Sequence, residues 1–178
     1  MAPAPLRPTG TKAYLRDKWV FVPTGTYNPD SPSLAILNAA SALDVSKMFF
    51  ASSALPSQST NLARAPKRIG DAETYEFVGE TNPSFGEARY SFNPQGAAAS
   101  TGKLAYEKFP AGTAGFMVNR LGLDRDTDLA TGQFVTSYPV EFGPQQETRE
   151  GDAEGAEVAI VQTIAQTGPK SLNKAVVV

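Results

Sequence analysis

An alternation of apolar and polar residues runs from Phe134 to Phe142, and this feature restricts the fold more than any other in the chain. Successive side chains of a strand point to opposite faces of a sheet, so the pattern predicts a strand with one apolar face. Pro139 lies inside the run and predicts an edge position or a bulge, because proline donates no hydrogen bond to a ladder. The predicted shared face carries Phe134, Thr136, Tyr138, Val140 and Phe142.

Similar short segments recur along the chain, and they predict a mainly β fold. The 178 residues include 15 glycines and 14 prolines, a content that favours short strands joined by turns. One helical pattern covers 97–108, and a shorter one covers 31–38 with Ser31 as N-cap and Pro32 as first helical residue. We therefore predict antiparallel β structure with one flanking helix. The predicted strands are 18–22, 44–50, 75–80, 87–93, 116–121, 134–142, 157–166 and 175–178.

Three segments lie outside this pattern. Residues 1–16 are basic and rich in proline, so they predict either a mobile terminus or an arm that becomes ordered on a neighbouring subunit. No periodic pattern of apolar residues occurs in 51–70, which predicts a long loop there. Residues 81–84 (TNPS) predict a hairpin turn. We predict a single domain over 1–178, with 1–16 as an N-terminal arm and 167–178 as a C-terminal arm or strand.

The chain contains neither cysteine nor histidine, which removes most hydrolytic and metal chemistry. A Ser-His-Asp triad, a Cys-His pair and a typical zinc site each need one of these residues. The formal net charge of −2 provides no overall basic field for holding nucleic acid by its phosphates. The first residues lack the apolar core of a signal peptide, and the longest strongly apolar run is only Val158 to Val161. We therefore expect no enzymatic activity, no cofactor, no metal and no membrane association.

Residues 96–103 (GAAASTGK) resemble a phosphate-binding loop, but their spacing departs from it. That loop needs four residues between its glycines and a hydroxyl residue after its lysine. Here five residues separate Gly96 from Gly102, and Leu104 follows Lys103. A turn that enters a helix is the favoured interpretation.

Asp124, Asp126 and Asp128 have the spacing of the first ligands in a calcium-binding EF-hand loop. Leu129 replaces the glycine that such a loop requires, and Val135 replaces its final glutamate. An exposed acidic turn is therefore the favoured interpretation.

The stretch 141–157 is acidic, with Arg149 as its single basic residue. A soluble loop is the simpler interpretation, and a surface that repels polyanions is the functional one. A glycosidase also uses paired carboxylates, but no other element of such a site is present.

Aromatic residues on the predicted strands could stack on nucleic-acid bases, as in single-strand binding proteins. Their positions on alternating strand faces favour core packing instead. The residues predicted to be in the core on this basis are Tyr75, Phe77, Tyr90, Phe92, Phe134 and Tyr138.

The order of several segments resembles the major tail proteins, or tail tube proteins, of siphophages, particularly those common in phages of actinobacteria. No single segment is diagnostic, and the resemblance rests on order and spacing over about 160 residues. It is weakest over 51–70. The matching segments are 18–23 (KWVFVP), 31–39 (SPSLAILNA), 90–95 (YSFNPQ), 105–116 (AYEKFPAGTAGF), 122–133, 138–140 and 175–178 (AVVV).

The resemblance implies a β-sandwich or half-barrel with one helix, in a structural subunit of the virion tail that is assembled in the host cytoplasm. It implies hexameric rings that stack by self-assembly around a tape-measure protein, between a tail terminator and a distal tail protein. DNA would pass through the lumen during ejection without specific binding. The candidate assembly contacts are Leu6, Tyr14, Arg64, Lys67, Arg68, Val176, Val177 and Val178. The candidate lumen-lining residues are Glu141, Glu147 and Glu150, whose charge would keep DNA from adhering.

Two other interpretations remain open. A tail terminator or head-tail connector would form one ring and no tube. A small-ligand-binding β-barrel would show similar alternating strands. Long loops and arms favour the tube, because open-ended polymerisation needs them and a closed barrel does not.

Overall fold

The computed structural model describes residues 15–53, 56–70, 72–152 and 154–178. Strands make up 47% of the structure and helices 6%, which confirms the prediction of a mainly antiparallel β fold with little helix. In chain order the elements are β1 (Asp17–Pro23), α1 (Leu34–Leu37), β2 (Leu43–Asp44), β3 (Ser57–Arg64), β4 (Glu76–Ser84), β5 (Gly86–Ser91), α2 (Leu104–Lys108), β6 (Ala114–Leu121), β7 (Phe134–Glu150), β8 (Glu157–Gln166) and β9 (Ser171–Ala175).

The chain divides into two compact units. The first comprises residues up to Met48, Gly115–Pro139 and Pro169–Val178, and the second comprises Phe49–Ala114 and Val140–Gly168. Strand β7 takes part in both, since the division falls after Pro139.

The first unit holds β2, β1, β6 and the start of β7 in that order, with β9 also paired to β7. The antiparallel pairing of β1 with β6 runs from Asp17 opposite Leu121 to Pro23 opposite Gly115. At that last pair the backbones approach so closely that a Cβ on Gly115 would lie 2.4 Å from the main-chain oxygen of Val22. Only glycine fits there without displacing a strand. The buried core of this unit consists of Val20, Val22, Tyr27, Leu37, Val118, Leu129, Val135 and Val176.

The second unit holds the remainder of β7, then β8 and β5, in a hydrogen-bonded ladder. Its core includes the fully buried rings of Tyr90, Phe109 and Phe142. The Phe109 and Phe142 rings stack with their centroids 4.4 Å apart. Such aromatic contacts stabilise a core beyond the burial of apolar area alone.

A buried polar network runs through this aromatic core. The Tyr90 hydroxyl donates to Gln162 Oε1 at 2.9 Å, and Gln162 Nε2 donates to the main-chain oxygens of Phe109 and Gly143. Gln145 Nε2 donates to the Tyr90 oxygen at 3.1 Å. Because its members are hydrogen-bonded to one another, the network avoids the penalty of an unpaired buried group and fixes the register of β7 and β8.

Replacing Tyr90 with phenylalanine should make the subunit less sensitive to alkali. Burial raises the pKa of Tyr90 from its ordinary 10.0 to about 12. Because the folded-state pKa is higher than the unfolded-state value, ionisation of Tyr90 favours the unfolded chain. The stability that the neutral phenol contributes is therefore complete below pH 10 and is lost as the pH rises toward 12. At neutral pH the free energy of unfolding of the variant should be lower by about 1 kcal/mol, because the hydrogen bonds of the Tyr90 hydroxyl are missing.

Urea denaturation midpoints at pH 8 and pH 11 measure this effect. The matched control is Tyr75→Phe, because the Tyr75 side chain is exposed. The wild type and the control should lose stability between the two pH values, and Tyr90→Phe should lose less. Equal losses in all three chains would contradict the assignment.

Strands β3 and β4 form a separate two-stranded antiparallel sheet, which we call the β3–β4 arm. Ser57 pairs with Ser84 near its base and Arg64 pairs with Glu76 at its far end. The prediction of a loop over 51–70 is therefore wrong for 57–64, and the predicted hairpin turn at 81–84 is wrong because those residues continue β4. Nearly all of the arm is exposed, so neither face imposes the alternation on which strand prediction depends.

Other predicted boundaries also need correction. The helix predicted over 97–108 is reduced to Leu104–Lys108, since Ala99 adopts a left-handed backbone with φ 57° inside a series of turns. The helix predicted over 31–38 covers only Leu34–Leu37 with Ser33 as its N-cap, and the strand predicted over 44–50 covers only Leu43–Asp44. The final strand is Ser171–Ala175 and not 175–178.

The predicted common face of Phe134 to Phe142 is wrong in its first half. Val135 and Ser137 are buried and Phe134 is exposed, whereas Val140 and Phe142 are buried as predicted. The buried side chains lie at odd-numbered positions up to Ser137 and at even-numbered positions from Val140 to Phe142. The change falls at Tyr138 and Pro139, between the residues paired with β9 and those paired with β8. A uniform alternation cannot express such a change of phase within one strand.

Candidate functional site

The β3–β4 arm exposes large apolar side chains in its distal half. Leu62 and Val78 are paired and therefore share one face, and they are 62% and 77% exposed. Phe77 pairs with Ala63, lies on the other face and is 60% exposed. Ile69, in the connection between the two strands, is fully exposed. Both faces of the arm thus present apolar surface to solvent.

The basal half of the arm is polar, and a bulge separates the halves. The register shifts between Thr60 and Leu62, and opposite this shift a Cβ on Gly79 would lie 2.9 Å from the main-chain oxygen of Asn61. An isolated two-stranded hairpin is marginally stable in water and leaves hydrogen-bonding groups unpaired along its edges. Its exposed apolar residues and unpaired edges are the features of a surface that a protein partner covers.

The predicted assembly residues of the loop lie at the distal end of this arm. Arg64 is exposed and forms a 3.6 Å ion pair with Glu76, also partly exposed. Lys67 and Arg68 are exposed in the connection that follows β3. Exposed ion pairs contribute little to folding stability. The prediction that these cations make assembly contacts stays a prediction.

The other predicted assembly residues lie in different environments. Leu6 and Tyr14 lie outside the described residues. Val176 is 1% exposed and belongs to the core of the first unit, so its side chain is covered within the subunit and its assembly role stays a prediction. Its backbone is held in turn by hydrogen bonds to Gly132 and Gln133. Val177 and Val178 are exposed, and their assembly role stays a prediction.

Two of the three predicted lumen-lining glutamates share one face of the β5–β8–β7 ladder. Glu141 pairs with Ala165 and Glu150 pairs with Glu157. Directly paired residues lie on the same face, and positions 157 and 165 of β8 also share a face because they are an even number apart. We call this surface the acidic face. Its carboxylates are Glu87, Glu141, Glu150 and Glu157, accompanied by Arg89.

Glu147 lies on the opposite face of the same ladder. Its partner is Ile160, whose side chain is buried in the core. The register shift between Phe142 and Gln145 adds one residue to β7 relative to β8. After the shift, the odd-numbered residues of β7 lie on the face of Ile160, and Glu147 is one of them. The three predicted lumen residues therefore cannot all line one surface of this sheet.

Glu150 is the most strongly held carboxylate of the acidic face. The Ser52 hydroxyl donates to its Oε1, and Arg89 donates to Oε2 at 3.1 Å. The Ser52 hydrogen bond and the Arg89 guanidinium lower the pKa of Glu150 below its usual value. Arg89 also lies 3.5 Å from Glu87. The four carboxylates keep the face acidic despite this one cation.

The loop that carries Asp124, Asp126 and Asp128 is organised around an internal cation. The Arg120 side chain is 1% exposed and donates to the main-chain oxygens of Asp124, Thr127 and Asp128. The three aspartates themselves are exposed, as the interpretation of an acidic turn predicted, and the arginine holds the loop by its backbone. Arg120 was not predicted as a buried residue, although it lies two positions after the buried Val118 in β6 and so shares its face.

The glycine-rich segment 96–103 forms a series of closed turns. Gly96 N donates to the Asn93 oxygen and Lys103 N donates to the Ser100 oxygen. The Glu107 carboxylate accepts a hydrogen bond from Ala99 N at 3.0 Å, and a carboxylate at that point disfavours a phosphate.

Three of the aromatic residues predicted to be in the core are exposed. They are Tyr75, Phe77 and Phe134. The prediction is wrong for them because alternation shows which residues share a face but not whether anything covers it. Within the four described ranges, no helix has the length and apolar character needed to cross a membrane, and no group of three or more acidic side chains is placed to hold a metal ion.

An exposed apolar arm and an acidic sheet face are features of an assembly protein more than of an enzyme. The family model described as "Phage tail tube protein" matches residues 6–178. The chain belongs to the phage tail tube protein family. As a member of the tail tube family it is a structural component of the phage tail, where it assembles with itself and with other tail components. The resemblance inferred from the sequence segments is thereby confirmed.

The fold of this tail tube protein is also found in a chain of a prophage baseplate. A chain from "Cryo-EM structure of the anti-feeding prophage (AFP) baseplate, 6-fold symmetrised" is similar with a TM-score of 0.50 and 8% sequence identity. The match covers 93% of this chain and 97% of that one. At this identity the likeness shows the fold alone. A comparison with curated protein sequences finds no significant match.

Proposed function

We propose that this tail tube protein self-assembles into hexameric rings that stack into the tube of a siphovirus tail, through which DNA passes during ejection. The observation that carries the proposal is the β3–β4 arm, whose apolar side chains are exposed on both faces. A monomer that kept this surface in water would be prone to aggregation. Contact of the arm with a neighbouring copy, in the next ring of the stack, would bury both faces.

The acidic face supports the second half of the proposal. A conduit for DNA must not retain the phosphate backbone, and carboxylates at the wall repel it. Glu141 and Glu150 are on this face, whereas Glu147 is on the other, so we propose Glu141 and Glu150 with Glu87 and Glu157 as the lumen-lining set. The role is electrostatic and requires no catalysis.

The proposed partners follow from the place of such a tube in a virion. The rings would stack around a tape-measure protein and end at a tail terminator on one side and a distal tail protein on the other, with assembly in the host cytoplasm. No specific contact with DNA is part of the proposal.

Negative-stain electron microscopy of the purified chain at high concentration, together with light scattering for mass, tests the proposal. Stacked rings or hollow tubes are the expected result. Discrete rings that never stack would favour a terminator or connector. A chain that stays monomeric at every salt and concentration, even with a preformed ring of the distal tail protein as nucleator, would overturn the proposal.

A further inference from the structure

A cleft with a volume of about 490 Å³ lies in the first unit, where the end of β6 meets the beginning of β7. Its apolar lining consists of Leu121, Leu123 and Phe134, and all three side chains are exposed. Phe134 precedes the buried Val135, so its ring lies on the face of β7 that is turned away from the core of the unit. The cleft is therefore an exposed apolar surface.

The distal half of the β3–β4 arm presents a second exposed apolar surface, on which its two aromatic side chains lie together. Phe77 pairs with Ala63, and Ala65 N donates to the Tyr75 oxygen at 2.8 Å, which continues the same register. Tyr75 and Phe77 are two residues apart and therefore lie on the same side of the arm. We call this side the aromatic face. The cross-strand neighbours of both rings are alanines, which are too small to cover them.

The two surfaces are complementary in shape and in chemistry. The aromatic face is carried on a two-stranded arm, whereas the cleft is concave and combines a phenylalanine ring with two leucines. Aromatic rings pack favourably against one another at short range, and a buried tyrosine also needs a hydrogen-bond partner for its hydroxyl. Thr136 and Asn173, which line the cleft as well, carry polar side chains that can supply this partner.

Stoichiometry favours a second copy of the chain as the partner of each surface. Every subunit carries one arm and one cleft, so a contact between the arm of one copy and the cleft of the next covers both surfaces on every subunit. Such a contact is heterologous, because it joins two different surfaces of identical chains. It leaves a free arm and a free cleft at the two ends of the assembly, and growth continues unless the contacts close on themselves. This is the type of contact that a stack of rings requires.

We propose that the aromatic face of the β3–β4 arm docks in the cleft of a second copy of this chain. Tyr75 and Phe77 of one copy would pack against Leu121, Leu123 and Phe134 of the other. This inference rests on the proposed self-assembly and deepens it, because it names the surface that receives the arm.

Disulfide trapping between two full-length chains tests the proposal, because the protein has no cysteine of its own. One chain carries Ala63→Cys on the aromatic face, and a second chain with a mass tag carries Leu121→Cys in the cleft. The control replaces the second chain by a tagged Thr24→Cys chain, since Thr24 is exposed and follows the end of β1 that lies farther from Leu121. Under mild oxidation the arm–cleft bond should form about tenfold faster than the control bond, because docking raises the local thiol concentration. Adding Tyr75→Ser and Phe77→Ser to the first chain should lower the rate to that of the control.

Denaturing electrophoresis and mass spectrometry distinguish the outcomes, and every bond joins two copies because each chain has a single cysteine. Equal rates for the cleft and control positions would overturn the proposal. A bond between two arms that forms faster than the arm–cleft bond would assign the arm to another arm and would also overturn it.

Electron microscopy of the same mixtures before oxidation separates this inference from the proposed function. Tubes together with equal bonding rates would leave the tube function standing and would overturn the cleft as the receiving surface. Fast arm–cleft bonding without stacked rings would support the contact and contradict the tube.

Discussion

Replacing Leu62, Phe77 and Val78 of the β3–β4 arm with serine is expected to give a folded subunit that no longer forms tubes. All three side chains are largely exposed in the subunit, so each substitution should change folding stability by no more than about 0.5 kcal/mol. In the polymer each buried side chain of this size contributes roughly 1.5–3 kcal/mol. Losing three of them should weaken each contact by a factor of more than about 1,000.

The measurement is electron microscopy and light scattering at a concentration where the wild type forms tubes, together with thermal denaturation of the subunit. A matched control replaces Val158 and Leu172 with serine, since both are exposed apolar residues outside the arm. The control should assemble like the wild type. Normal tubes from the triple variant would show that the arm's apolar residues are not the contact, even if the chain is a tube subunit.

Replacing Arg120 with methionine is expected to destabilise the subunit by about 3 kcal/mol, because buried acceptors lose a charged donor. The guanidinium bridges the main-chain oxygens of Asp124, Thr127 and Asp128 and the side chain of Gln133. Methionine fills similar volume but donates no hydrogen bond. The expected decrease in melting temperature is about 10 °C for a chain of this size.

Arg149→Met is the control for this experiment, because Arg149 is exposed on β7 and its loss should cost no more than about 0.5 kcal/mol. Arg120→Lys should recover only part of the stability, since an ammonium cannot reach all four acceptors at once. Urea denaturation measures all three variants. If Arg120→Met were no less stable than Arg149→Met, the loop would not depend on the buried cation.

Neither the β3–β4 arm nor the burial of Arg120 was predicted from the sequence. The alternation in β8 predicted its bounds of 157–166, because one face of that strand is buried along most of its length. The arm was missed because both of its faces are exposed, which removes the contrast between faces on which the prediction depends. Arg120 was missed because a charged residue is assumed to face solvent unless its partners are known.

Periodicity, composition and the order of segments predicted a mainly β chain without cysteine or histidine chemistry and indicated the tail tube family. Periodicity and composition are local properties, and local properties are sufficient for those conclusions. Which faces are covered depends on how the strands pack in three dimensions. This packing places Val176 in the core, Phe77 and Phe134 in solvent, and Glu147 on the opposite face from Glu141. These outcomes depend on register shifts and on distant packing partners, and a single strand's pattern carries no information about either.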